Sequence, residues 1–105
     1  MSTPFPAVDD ATFREAVASG TTLVDVWAPW CGACRTLGAT LQQLAPALDP
    51  ALKVVQLDSE ANPATAAALG VLALPTLLLF RDGALVGRRV GALGRQGILA
   101  FVAGD

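Results

Sequence analysis

Residues 76–80 form the apolar segment TLLLF, which restricts the folds open to this chain more than any other segment. A strand without a polar face is typical of a sheet that is covered on both sides. Asp82 and Gly83 follow it, and an Asp-Gly pair predicts a tight turn that returns residues 85–90 as an antiparallel neighbour. We therefore expect a sheet that carries layers on both faces and includes a hairpin.

Strand and helix patterns alternate ahead of this hairpin. Residues 22–27 and 52–58 are rich in β-branched and apolar side chains and predict two strands. Between them, leucines follow helical spacing at positions 37, 41, 44 and 48. Pro46 predicts that this helix kinks or ends early, because proline has no amide hydrogen to donate.

Three shorter segments also have helical patterns: residues 9–20, 62–70 and 94–104. The last of them is expected to turn Ile98, Leu99 and Val102 toward the core. Strand–helix–strand units imply parallel pairing, whereas the hairpin adds an antiparallel strand. The predicted fold class is therefore α/β, with a central mixed β-sheet flanked by helices on both faces.

The length of 105 residues fits one domain, and a hydrophobic content of 53% is sufficient for a packed core. Pro4 and Pro6 lie near the amino terminus. Since proline cannot donate to a sheet, we expect residues 1–8 to be irregular or to form only a short edge strand.

The charge pattern argues against nucleic acid and membrane partners. The net charge is −2, and the basic residues are dispersed. The closest basic pair, Arg88 and Arg89, predicts a solvated strand face. The longest apolar segment, residues 70–80, contains Pro75 and is too short to span a bilayer. Residues 1–10 lack the pattern of a secretory signal, so we expect a cytoplasmic protein.

Cys31 and Cys34 are the two cysteines, and both lie in the segment VDVWAPWCGACR at residues 24–35. A structural zinc site needs four nitrogen or sulfur donors, and the chain has no histidine, although a metal shared between two chains stays open. A permanent disulfide over so short a loop would add only about 2 kcal/mol. In a reducing compartment such a pair is more often catalytic than structural.

The position of the pair favours redox chemistry. Cys31 falls where a strand pattern ends and a helix pattern begins, and the positive end of a helix stabilises a thiolate. Cys34 follows about one turn later, within reach of a sulfur bonded to Cys31. Thiol–disulfide exchange requires one exposed nucleophile and one resolving thiol behind it, so we expect Cys31 to be exposed. Pro29 and Trp30 provide an apolar approach to the pair.

Three segments resemble the thioredoxin family. The Trp-Cys-Gly-Ala-Cys sequence at residues 30–34 resembles the W-C-G-P-C motif of the bacterial-type members. The segment GVLALPTLLLFRDG, residues 70–83, is similar to the one that carries a cis proline in the family. VGAL at residues 90–93 is similar to the third active-site loop. The resemblance implies the thioredoxin fold, as a single domain over residues 1–105.

The resemblance also implies roles for individual residues. Cys31 would be the attacking thiol, Cys34 the resolving thiol, and the two would form the redox-active disulfide. Asp25 would be the buried aspartate that helps to move the proton of Cys34. Pro75 would be the cis proline, and the backbone of Leu74 would bind an extended segment of the client. The remaining substrate-binding residues would be Trp30, Gly32, Ala33, Gly91 and Ala92.

Several residues add to these expectations. Asp25 interrupts an apolar strand, so desolvation is expected to raise its pKa toward neutrality, unless it is an ordinary carboxylate at a strand end. Gln56 stands where the family often has a buried lysine, so we expect Asp25 to lack that partner. Ala33 replaces a proline, which predicts a shifted redox potential. Trp27 fits the docking surface and the core equally well.

The resemblance implies a monomeric protein-disulfide reductase that binds no metal and no cofactor. Its partners would be disulfide-bearing client proteins and a thioredoxin reductase, a flavin enzyme that supplies electrons from NADPH. Two other functions stay open at this point. One is a disulfide oxidase or isomerase, and the other is a protein-binding module that the cysteine pair only gates.

Overall fold

The computed structural model describes residues 5–104, so the prediction for Pro4 lies outside the described residues. Five strands are present: β1 Ala7–Val8, β2 Thr21–Trp27, β3 Lys53–Asp58, β4 Thr76–Arg81 and β5 Ala84–Val90. Four α-helices accompany them: α1 Phe13–Ala16, α2 Gly32–Leu44, α3 Pro63–Ala68 and α4 Arg95–Val102.

The strands form one mixed sheet in the spatial order β1-β3-β2-β4-β5. β3 is parallel to β1 and β2, whereas β4 is antiparallel to both β2 and β5. The hairpin between β4 and β5 turns at Asp82 and Gly83, whose φ values of 49° and 85° suit a two-residue turn. The predicted α/β class with a central mixed sheet is confirmed.

The two faces of the sheet bury separate clusters, because side chains alternate along each strand. The cluster that includes α2 and α4 consists of Leu23, Leu37, Leu41, Leu44, Leu77, Leu79, Ile98 and Phe101. The cluster beside α1 consists of Val8, Phe13, Val17, Val24, Val26, Val55, Leu57, Leu78 and Phe80. Strand β4 contributes to both clusters, as its uninterrupted apolar sequence predicted.

Helix α4 turns the three expected residues toward the core and adds a fourth. Ile98 is buried, Leu99 and Val102 are partly buried against the same cluster, and Phe101 is a further buried position that was not predicted. Gly87 on β5 makes this packing feasible, since a Cβ atom there would lie 2.7 Å from Cε1 of Phe101. The aromatic ring therefore lies directly on the backbone of the hairpin.

Of the two arginines of β5, Arg89 is exposed as predicted, whereas Arg88 differs from the prediction. Arg88 is half-buried, and its guanidinium donates to the carbonyl oxygens of Leu69 and Gly70 just after α3. Arg89 is exposed, and its guanidinium carbon lies 4.9 Å from the centroid of the Phe101 ring. Each arginine thus joins β5 to a helix, on opposite faces of the sheet.

The proline predictions are confirmed where the structure describes them. Helix α2 ends at Leu44, and Pro46 lies in a 3₁₀ turn at Ala45–Ala47. Strand β1 has only two residues, opposite Gln56 and Leu57 of β3. Within residues 5–104, the structure contains no helix long and apolar enough to cross a membrane.

Candidate active site

The cysteine pair lies at the junction that the sequence predicted. Strand β2 ends at Trp27, and Cys31 is the N-cap residue of α2. Cys31 and Cys34 form a disulfide with their Cα atoms 5.2 Å apart. The amide nitrogen of Cys34 donates to Sγ of Cys31 at 3.2 Å. The first turn of α2 therefore directs an amide hydrogen and the positive end of the helix toward this sulfur.

The expected exposure of Cys31 is wrong. Cys31 is only 7% exposed, and Cys34 is 4% exposed. The cause is the packing around the pair, since Ala28, Trp27 and Leu74 form one apolar cluster with the two cysteines. Cys31 nevertheless keeps more contact with solvent than Cys34 does, which is the order that an attacking and a resolving thiol require.

The loop before β4 lies against the disulfide, because Leu74 packs on the cysteine cluster. The Leu74–Pro75 peptide bond is cis, as expected, and Pro75 itself is buried. The carbonyl oxygen of Pro75 accepts a hydrogen bond of 2.9 Å from the amide of Gly91. The structure thus brings together the three sequence segments that carried the resemblance.

The other predicted binding residues vary in their contacts. Gly32 and Ala33 are exposed at the start of α2, next to the disulfide in sequence. Ala92 is exposed beside Gly91. Trp27 is half-buried and belongs to the cysteine cluster, so it contributes to the packing of the site.

Trp30 and the loop before Pro75 form an apolar groove beside the disulfide. The groove is a shallow cavity of about 340 Å³ lined by Trp30, Ser59, Val71, Leu72, Ala73 and Leu74. Trp30 is 66% exposed, and its Nε1 donates to Oε1 of Glu60 at 2.6 Å. Leu72 is 97% exposed. Large apolar side chains this open to solvent are typical of a surface that contacts another molecule.

Sequence reasoning missed Leu72 and Glu60. Leu72 belongs to the apolar segment before Pro75, and within residues 70–75 only Leu74 and Pro75 were predicted to contact a client. The signal for a loop was Pro75 itself, because the residues before a proline avoid helix and favour extended structure. Glu60 lies 30 positions from Trp30 in sequence, and only the folded chain brings the two together.

Asp25 is fully buried in the middle of β2. Its side chain projects from the same face of the sheet as that of Leu23, two residues earlier. Leu23 packs with α2, so Asp25 lies on the face that α2 covers. As expected, the residue beside Asp25 is Gln56 and not a lysine, but it still contacts the carboxyl group: its side-chain amide Nε2 donates to Oδ2 of Asp25 at 3.0 Å. Its second oxygen, Oδ1, is buried without a hydrogen-bond partner among residues 5–104.

The surroundings of Asp25 set its proton affinity. Burial raises the pKa of Asp25 from 3.8 to about 6, and the hydrogen bond from Gln56 acts in the opposite direction. The raised pKa predicted from the apolar strand is therefore confirmed. A carboxyl group with a pKa near 6 exchanges protons at neutral pH, which suits it to general acid–base chemistry.

These features define the class of protein as a thiol–disulfide oxidoreductase. A disulfide at a helix N-terminus, a titratable buried carboxyl on the face that α2 covers and an apolar groove together suit dithiol–disulfide exchange. Within residues 5–104, no group of three or more histidine, cysteine, aspartate or glutamate side chains is placed to hold a metal ion.

Comparison with known proteins agrees with this class. The thioredoxin family model matches residues 5–104. The chain is 42% identical to a thioredoxin of Staphylococcus saprophyticus over 95 residues, which cover 90% of this chain and 91% of the relative. It is 39% identical to a thioredoxin of Rhodospirillum rubrum over 97 residues, which cover 90% of this chain and 93% of the relative.

A solved structure has the same fold. It comes from a study described as "Structural basis of the thiol resolving mechanism in yeast mitochondrial 1-Cys peroxiredoxin via glutathione/thioredoxin systems". One of its chains superposes with a TM-score of 0.87 at 25% identity, covering 95% of this chain and 94% of that chain. The chain belongs to the thioredoxin family, and it is a thiol–disulfide oxidoreductase that acts by dithiol–disulfide exchange.

Proposed function

We propose that the protein reduces disulfides in client proteins through two successive exchanges. The thiolate of Cys31 attacks one client sulfur, forms a mixed disulfide and releases the other client sulfur as a thiolate. Cys34 then loses its proton to Asp25 and attacks the Cys31 sulfur. The second client thiolate leaves, and the Cys31–Cys34 disulfide remains. Two electrons have then passed from the dithiol to the client.

One observation carries these assignments. The amide of Cys34 donates to Sγ of Cys31 at the N-terminus of α2, and among the described residues 5–104 no amide is directed at Sγ of Cys34 in the same way. A hydrogen bond and the helix dipole both favour a thiolate at Cys31. Cys34 is the more buried of the two cysteines, and burial in apolar surroundings favours a protonated thiol. The second step therefore needs a base, and Asp25 supplies one on the face that α2 covers.

Client binding follows from the surface next to the disulfide. We assign an extended client segment to the strip between Trp30 and the loops at Leu74 and Gly91. The backbone of Leu74 would pair with this segment as an added strand. The cis Pro75, Gly32, Ala33 and Ala92 would complete the surface.

Recycling requires an external source of electrons, because the chain itself has no nucleotide-binding motif such as G-x-G-x-x-G. We propose a flavin-dependent thioredoxin reductase that uses NADPH. The protein would act as a monomer with one domain over residues 1–105, and we propose the cytoplasm as its compartment.

Insulin reduction tests this proposal. With NADPH and a thioredoxin reductase, the protein is expected to reduce insulin catalytically, measured as NADPH oxidation and as precipitation of the insulin B chain. Cys31→Ser is expected to abolish the reaction, because it removes the attacking sulfur. NADPH oxidation without reduced insulin, or the same insulin reduction with Cys31→Ser, would refute the proposal.

A further inference from the structure

Gln56 lies beside Asp25 in the sheet, because their Cα atoms are partners in the parallel pairing of β2 and β3. Paired residues send their side chains to the same face. Here the shared face is the one that α2 covers, since Leu77, the partner of Asp25 on β4, packs with Leu37. Gln56 is 7% exposed, so its amide is held within the protein.

The contact between these side chains distinguishes the two carboxyl oxygens. Nε2 of Gln56 donates to Oδ2 of Asp25, whereas Oδ1 is buried without a partner among residues 5–104. An unsatisfied buried oxygen is costly, and such groups are rare unless they serve a function. Oδ1 is therefore the oxygen that retains its capacity to accept a hydrogen.

We propose that Gln56 is a positioning residue for the resolving step: it holds Oδ2 of Asp25, so that Oδ1 accepts the proton of Cys34. This inference rests on the proposed function, because it concerns the second exchange. Gln56 does not contact the reacting sulfurs in this role, and it acts only through Asp25.

The charged residues on the neighbouring strands and on α2 have other partners or are exposed, which is why we assign this role to Gln56. The pKa of Asp25 responds to burial and to the Gln56 amide. Asp58 leaves β3 on the same face as Gln56, but its Oδ1 accepts amide hydrogens at the turn after β3. Lys53 leaves β3 on the opposite face and donates to the carbonyl oxygens of Ala16 and Ser19. The remaining charged residues of β4 and α2 are exposed: Arg81 and Arg35.

An aryl disulfide, DTNB, separates the two exchanges in stopped-flow measurements. Attack by the Cys31 sulfur releases one aryl thiolate and leaves the other aryl group in a mixed disulfide. Attack by Cys34 on the Cys31 sulfur then releases the second aryl thiolate, and the Cys34 proton passes to Asp25. The first phase reports Cys31, and the second reports the step that Gln56 is proposed to assist.

Gln56→Met removes the donor and keeps the length of the side chain. We expect the second phase to slow by about threefold near neutral pH, the effect of one modest hydrogen bond. The inflection in its pH profile is expected to move to higher pH, because losing the donor favours protonated Asp25. The first phase is expected to be unchanged. The matched control is Gln43→Met, the same substitution at an exposed position of α2.

Gln56→Lys provides an independent test, since it keeps a donor and adds a positive charge. It is expected to retain the second-phase rate, because a donor still holds Oδ2, and its added charge is expected to move the inflection to lower pH. The retained rate is the result that a purely structural role of Gln56 would not give, and it decides the question if Gln56→Met does not fold.

The outcomes separate this inference from the proposed function. An unchanged second-phase rate and inflection in both Gln56 variants would overturn the positioning role and leave the proposed function intact. A wild-type protein without the first phase would overturn the proposed function, and the positioning role with it.

Discussion

Cys34→Ser is expected to convert the protein from a catalyst into a covalent trap. Without the resolving sulfur, the mixed disulfide between Cys31 and a client has no internal route to release. Clients are therefore expected to remain attached through incubation and gel electrophoresis without a reducing agent, and to be released by dithiothreitol. Non-reducing gels followed by mass spectrometry of the captured peptides measure this directly.

The matched control is Cys31→Ser, which keeps Cys34 but removes the sulfur that the first turn of α2 stabilises. It is expected to capture few clients, because Cys34 is more buried and no residue within 5–104 directs a comparable amide contact at its sulfur. Equal capture by both variants would contradict the order of attack. Binding of the same partners by Cys34→Ser without a covalent bond would favour a redox-gated binding module instead of a reductase.

Asp25→Asn is expected to stabilise the oxidised protein at neutral pH. The pKa of Asp25 is 3.8 in an ordinary setting and about 6 in the folded protein. Between these values the folded state binds the proton and the unfolded state does not, so the free energy of unfolding falls as the pH rises. The stabilising contribution is complete below about pH 4 and lost above about pH 6, and it amounts to about 3 kcal/mol.

Urea denaturation across this pH range measures the effect. The wild-type free energy of unfolding is expected to fall between about pH 4 and about pH 7 relative to that of Asp25→Asn, by up to about 3 kcal/mol. Asp49→Asn, the same change at an exposed carboxylate, serves as the control and is expected to follow the wild type. Parallel curves for the wild type and Asp25→Asn would show that Asp25 has no raised pKa in the folded state.

Much of the fold could be predicted from local patterns. The uninterrupted apolar strand at residues 76–80 indicated a sheet covered on both faces, and Asp82 with Gly83 indicated the hairpin. These features depend on neighbours in sequence, so composition and spacing reveal them. The C-terminal helix was less predictable, because the burial of Phe101 depends on the space that Gly87 leaves on a different element.

The functional site also contains residues that the sequence revealed and residues that it did not. The cysteines and Asp25 could be identified because their chemistry is visible in the sequence. The hydrogen bond between Gln56 and Asp25 could not be predicted. The sequence showed only that a glutamine stands where a lysine is common, whereas the contact of its amide with Asp25 depends on the register of β2 and β3. The burial of Cys31 likewise depends in part on Leu74, which is distant in sequence.

The central claim is that Cys31 and Cys34 together transfer two electrons to a protein disulfide. A single-turnover reaction of the reduced protein with insulin, without any other reductant, tests it most directly by mass spectrometry. We expect one insulin disulfide to be reduced for each Cys31–Cys34 disulfide formed. Insulin that stays oxidised, or insulin reduction that leaves both cysteines as thiols, would contradict the claim.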